Sequence, residues 1–243
     1  MSKNELILWL GDSHVETISI RCFFICRLLS YCEVDFEVKW VKLPEEAKKL
    51  DIEAKLIPIL NMGGKKLTCP EIIEFCRVRI NKLDKELLFP DYSLVQTITF
   101  QWATTTLLGL YVNYVYTCDQ TRQRFFKDFK NSHSEINDKN LHQISQLMSQ
   151  WVDHCASINI PKEEYDNHVF QLLEHFDNQL KDHDFFFGNV ISATDIAIFS
   201  FVFLICNPHI HKFKEKVRQS KNLFQWSKRM DHLTQHEYRK YRI

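Results

Sequence analysis

Three stretches of this 243-residue chain combine residue types and spacings that could do chemistry. Thr68-Cys69-Pro70-Glu71 places a thiol in the first turn of a helix. Thr68 and Glu71 read as a capping box, and Pro70 fits a first turn where no amide hydrogen is needed. A helix N-terminus lowers a thiol's pKa, which makes Cys69 a candidate thiolate, while a small half-buried residue is the alternative. The segment GDSHVETIS carries hydroxyls at Ser13, Thr17 and Ser19 between an apolar run and a helical pattern. Ser13 to Glu16 also reads as a capping box, so Ser13 doubles as an N-cap. Cys206, His209 and His211 have a ligand-like spacing but no second cluster to complete a site, and no metal is expected. Cys22 and Cys26 stand four apart, not as C-x-x-C, which disfavours dithiol redox chemistry.

The elements that must hold these residues follow from periodicity. Glu5 to Leu10 is an apolar run of strand length, followed by a long helical pattern to about Tyr31. Val34 to Val41 alternates apolar and polar residues as a half-buried strand does, completing a βαβ unit. Leu56 to Leu60 reads as a further strand with Pro58 inside it, then Gly63-Gly64 turns into Lys65 to Leu67 and the helix opens at Thr68. Proline cannot donate to a ladder, so Pro58 marks either an edge strand or a cis Ile57–Pro58 bond. Beyond Phe89-Pro90-Asp91 strand signals vanish and helices run to the end, which predicts two domains. Ser192 to Asp195 is another capping box, with Ile191 and Ile196 placed as a hydrophobic staple, so Asp195 is expected as a cap and not a catalytic acid. Leu223, Trp226 and Met230 form one helical face.

Composition narrows the function. Thirty-one basic residues balance thirty-one acidic ones, so neither nucleic acid nor an anionic membrane is expected as a partner. Leu94 to Tyr116 has no charge and is about long enough to cross a bilayer, but its glutamines, asparagine and threonines predict a buried helix instead. The eight cysteines show no compact disulfide framework, and no signal-peptide pattern precedes them, which predicts reduced thiols in a cytoplasmic protein. Five glycines leave little material for a phosphate loop.

The order of these motifs resembles the glutathione S-transferase superfamily: I-P-I-L before the Gly-Gly hairpin, C-P-E-I-I-E-F-C, G-x-x-I-S-x-x-D-I-A and N-L-x-x-W-x-x-R-M, over essentially the whole chain. The resemblance implies an α/β plus all-α fold, with a thioredoxin-like N-terminal domain at 1–82 and an all-helical C-terminal domain at 92–243. It implies glutathione as co-substrate, conjugated through its thiolate to a small hydrophobic electrophile, and a possible homodimer. Pro58 matches the family's cis-proline, so Ile57 would pair its backbone with the cysteinyl part of glutathione. Thr68 and Cys69 stand where the family's acidic residue and serine hold the γ-glutamyl end. The activating residue between first strand and first helix would be Ser13 or Ser19, with Thr17 between them. Trp102 and Tyr111 would lie beside the electrophile. The alternative is a non-catalytic interaction or ligand-binding module on the same fold, which the altered Thr68-Cys69 pair favours.

Overall fold

In the computed structural model, which describes residues 4–12, 16–17, 19–80, 94–155, 160–207 and 210–235, strand β1 (Glu5–Trp9) lies at the centre of the sheet and is almost wholly buried. It pairs in parallel with β2 (Glu37–Val41) and antiparallel with β3 (Ile59–Met62), which in turn pairs antiparallel with β4 (Lys65–Leu67). The sheet order is β2-β1-β3-β4. Helix α1 (Ile20–Tyr31) makes the parallel crossover, as a parallel pair requires. β2 is shorter than its alternation suggested. It starts at Glu37, and Val34 and Phe36 are buried in the loop before it.

The proline is not inside a strand. A 3-10 turn (Ala54–Leu56) leads to a cis Ile57–Pro58 bond, and β3 begins immediately after it. β3 is also an inner strand, so the edge reading of Pro58 gives way to the cis reading. Met62 and Lys65 then pair across Gly63 and Gly64, whose φ angles of 59° and 93° are what a two-residue type I′ turn demands. Helix α2 (Pro44–Lys49) precedes this unit and α3 (Cys69–Ile80) follows it.

Among the described residues no strand follows Leu67, apart from a single bridge between Phe185 and Gly188. The uncharged stretch forms α4 (Leu94–Trp102), a π-helical turn (Ala103–Leu107) and α5 (Leu108–Thr117). Around that turn the Thr104 hydroxyl donates to Phe100 O at 2.8 Å and the Thr105 hydroxyl to Gln101 O at 2.6 Å. Such back-bonding competes with the regular ladder and accounts for the widened turn. Of the described residues, no helix is long and apolar enough to cross a membrane.

The remaining helices are α6 (Asp119–Ser132), α7 (Asp138–Cys155), α8 (Tyr165–Gln179), α9 (Ala193–Ile205), α10 (His211–Gln219) and α11 (Lys221–Thr234). α9 is buried on nearly every side, as a helix that is apolar all round beyond its first turn, save Ser200, must be. Its start is the expected capping box: Ser192 Oγ accepts from Asp195 N at 3.3 Å, and the Asp195 carboxylate accepts from Ser192 N at 2.9 Å. Asp195 also accepts from Phe186 N at 2.9 Å and Trp226 Nε1 at 3.2 Å, so the cap ties α9 to the preceding loop and to α11. Leu223, Trp226 and Met230 are all buried. α1 packs on α3 from one domain and on α5, α9 and α11 from the other, so the two halves share one core.

Candidate functional site

The sheet, the start of α1 and the cis-proline loop converge on one corner. Trp9 closes β1, and Gly11 is pinned by its N–H to Glu16 O at 2.8 Å and by its carbonyl to His133 Nε2 at 2.8 Å. Ser13 lies outside the described residues. Thr17 is buried and its hydroxyl accepts from Ser19 N at 3.2 Å. Ser19 is the N-cap of α1, accepting from Cys22 N at 3.4 Å from a half-buried position. Of the three hydroxyl candidates, Ser19 borders the corner beside Trp9 and Ile57, whereas Thr17 turns inward toward the Cys22 thiol. Burial pushes that thiol up to about 11 despite hydrogen bonds from Ser19, the Trp9 backbone and Thr17.

From this corner an open groove of about 790 Å³ runs between α2, the 3-10 turn, Lys66 and Thr68. Lys48, Lys55 and Lys66 face Asp51 and Glu53 along it, so both signs of charge are available. Lys66 Nζ donates to Leu50 O and Asp51 O, each at 2.9 Å, where a cation suits the end of α2. Lys55 pairs with Glu53 at 2.9 Å.

At the far end the Thr68–Glu71 contact differs in detail from a full box. Glu71 Oε2 accepts from Thr68 N at 2.8 Å and from the Thr68 hydroxyl at 2.7 Å. Both backbone and side chain of Thr68 therefore serve the carboxylate, which they hold below the usual Glu range. Cys69 is 8% exposed, and its burial raises the thiol pKa even though the Arg21 guanidinium beside it pulls the other way. Of the two readings of Cys69, the small buried residue is the one this environment favours, since desolvation outweighs the arginine. Arg21, in the first turn of α1, is a site neighbour that the sequence reading missed. Its signal was its position two residues after Ser19.

The side facing the helical domain is nearly filled. Val112 of α5 and Leu147 and Met148 of α7 meet Trp9, Ser19 and Ile57 around a remaining space of only about 20 Å³. Trp102 packs edge-on against Phe176 at 6.4 Å, and the Tyr111 hydroxyl is buried against Asn207 and near Asp12. Neither lines the groove or the corner. No group of three or more potential metal ligands occurs among the described residues, and His209 lies outside them.

No curated protein matches the chain. Residues 170–230 match the family model described as glutathione S-transferase, C-terminal domain. Among solved structures, the chain resembles the β-etherase LigF from Sphingobium sp. strain SYK-6, with 14% identity over 98% of each chain and a TM-score of 0.63. It also resembles glutathione S-transferase III in apo form, at 14% identity over 98% of this chain and 95% of the other, with a TM-score of 0.56. A glutathione S-transferase from Methylobacillus flagellatus with glutathione bound matches at 14% identity over 98% and 97% of the chains, TM-score 0.52. Identities this low establish the fold alone: a thioredoxin-like sheet domain followed by an all-helical domain. Residues 170–230 thus resemble the C-terminal domain of the glutathione S-transferases, and the chain as a whole shares the fold of those solved structures.

Proposed function

We propose that this chain binds glutathione in the groove that joins the cis-proline corner to the N-terminus of α3. The observation that carries this reading is the cis Ile57–Pro58 bond at the head of β3, beside the Ser19 N-cap and at one end of an open, mixed-charge groove. A tripeptide with two carboxylates and one ammonium suits a channel lined by lysines and acidic residues. In this reading Ile57 offers its backbone to the cysteinyl unit, and Ser19 hydrogen-bonds the thiol. Thr68 and Cys69 border the γ-glutamyl end, with Arg21 as a cation for its carboxylate.

Transfer of the thiolate to a hydrophobic electrophile is the finer proposal, and one observation favours the binding-module alternative. The space left by Val112, Leu147 and Met148 is smaller than any electrophile, so turnover requires that wall to give. Exposed Val78, Leu94, Val95 and Ile98 support a homodimer through α3 and α4. Domains at 1–82 and 92–243 and a cytoplasmic location complete the proposal. The seven cysteines whose side chains are described, all free, are compatible with that compartment.

Thermal unfolding with and without millimolar glutathione tests the binding reading, because a ligand of the native state raises the midpoint. An unchanged midpoint, with no retention on immobilised glutathione, overturns it. A conjugation assay with a generic electrophile then separates enzyme from binding module.

A further inference from the structure

The turn between α6 and α7 grips the ends of two strands of the sheet. Leu10 N donates to Val41 O at 2.9 Å, so the exits of β1 and β2 lie side by side. His133, the first residue after α6, bonds the carbonyl of Gly11 beyond β1, and Glu135 pairs with Lys42 beyond β2. Ile136 N donates to His133 O at 3.0 Å, which closes the turn, and the Ile136 side chain is buried beneath it. The His133 ring stands edge-on to the buried Phe129 ring, with centroids 4.8 Å apart, so its direction is set by packing.

A carbonyl only accepts, so Nε2 of His133 carries the proton and donates to Gly11 O at 2.8 Å. Gly11 is buried, as the SEQ burial pattern of the strand exit requires, and losing the partner of a buried carbonyl is costly, so this bond holds the peptide in one orientation. From Gly11 the fixation passes toward α1 in short steps. Its N–H donates to Glu16 O at 2.8 Å. Thr17 comes next, is buried, and its hydroxyl accepts from Ser19 N at 3.2 Å. Ser19 Oγ then accepts from Cys22 N at 3.4 Å as the helix cap. Connections between elements are mobile unless their backbone groups are held, and this one is held at its start by a side chain from the helical half.

We propose that His133 is a positioning residue: by holding Gly11 O it sets where the Ser19 hydroxyl stands, and through it the helical half orients the group that hydrogen-bonds the glutathione thiol. The role at the thiol rests on the glutathione reading above, whereas the tether from His133 to Ser19 does not.

Residue-resolved amide hydrogen exchange on the full chain, without ligand, tests the tether. His133→Ala should speed exchange at the Gly11 and Ser19 amides by about tenfold or more, the effect of losing one hydrogen bond on local opening. His133→Gln, whose side-chain amide nitrogen can reach Gly11 O, should restore both rates, which separates donation from packing. Glu135→Gln loosens the same turn from Lys42 without touching Gly11 and should leave both rates within about twofold, as an exposed ion pair contributes little. With glutathione bound, the pH at which its thiol ionises, read from thiolate absorbance, should rise by about one unit in His133→Ala and return in His133→Gln, with affinity little changed. Should His133→Ala fail to fold, His133→Asn, which stops short of Gly11, takes its place. Unchanged exchange in a folded variant, or no rescue by Gln, overturns the tether. Faster exchange with an unmoved ionisation midpoint overturns the role at the thiol. Wild-type protein that binds no glutathione overturns the glutathione reading and with it the role at the thiol, while the exchange rates still decide the tether.

Discussion

Arg27 of α1 and Asp231 of α11, 204 positions apart in the chain, meet with Nη1 3.0 Å from Oδ1. The arginine is 1% exposed and its guanidinium carbon lies 4.7 Å from the centre of the Phe23 ring and 5.7 Å from those of Phe199 and Phe203. Burying a cation is costly unless a partner compensates, so one carboxylate fastens the first helix to the last. Asp231→Ala should therefore destabilise by about 3 kcal/mol, by stranding a buried charge. Arg27→Met, which removes the charge but keeps an apolar stem, should cost less. Urea denaturation of the two variants checks the order, and the reverse order would refute a compensating role for Asp231.

Asp195 accepts hydrogen bonds from two backbone amides, the Ser192 hydroxyl and the Trp226 indole, yet burial raises its carboxyl above the usual range. A carboxyl whose folded pKa lies above its unfolded value favours the fold most when protonated, and that contribution is lost as pH rises through the folded pKa. Replacing Asp195 by Asn should thus cost more at acidic pH, near the ordinary aspartate pKa, than at neutral pH. Asp195→Ala should cost about 1 kcal/mol or more through the lost cap. Unfolding curves at the two pH values check both; a pH-independent cost for Asn would contradict the sign.

Cys69 is slightly exposed, Cys22 and Cys76 not at all. Burial raises the pKa of the first two thiols, and a hydrogen bond with Cys32 together with burial raises that of Cys76. Alkylation of native protein should be slow at all three and fastest at Cys69, because Arg21 stands beside it. Added glutathione should slow Cys69 further. Mass-spectrometric labelling that shows equal Cys69 rates with and without glutathione would remove the γ-glutamyl assignment.

Leu147 lines both the closed corner and the open groove, so it is the partition between them. Leu147→Ala should enlarge the corner and raise conjugation of a small aromatic electrophile several-fold, at a stability cost of about 2 kcal/mol, the lower end for a truncation of a side chain in the core, since Leu147 is only partly buried. If the variant binds glutathione normally and still conjugates nothing, the wall is not what limits turnover.

Where the chain's own local chemistry decides the outcome, the sequence was readable. The Gly63-Gly64 hairpin, the Ser192–Asp195 box and the Leu223–Trp226–Met230 face each depend on residues within a few positions of one another. The family's motifs carried the two-domain order as well. Less visible was anything set by distant contacts. Val112, Leu147 and Met148 reach the corner only because α5 and α7 fold over it, and no short-range spacing records that. Nothing in the local sequence marks Arg27, because its partner Asp231 lies near the far end of the chain. The two readings of Cys69 could not be separated for a related reason, since position in a helix is a sequence property and desolvation is not.

The π-helical turn at Ala103–Leu107 has a consequence for the rod that contains it. An α-helix repeats every 3.6 residues, and a wider turn takes up more, so α5 emerges out of phase with the stripe that α4 began. Along this rod α4 has no fully buried residue, with Leu94, Val95 and Ile98 exposed, whereas Leu108, Leu110, Tyr111 and Val112 of α5 are buried. The turn thus marks a boundary within one continuous helical segment, whose first part carries exposed apolar residues and whose second part lies in the core. Surface and core can then vary separately along a single stretch of backbone.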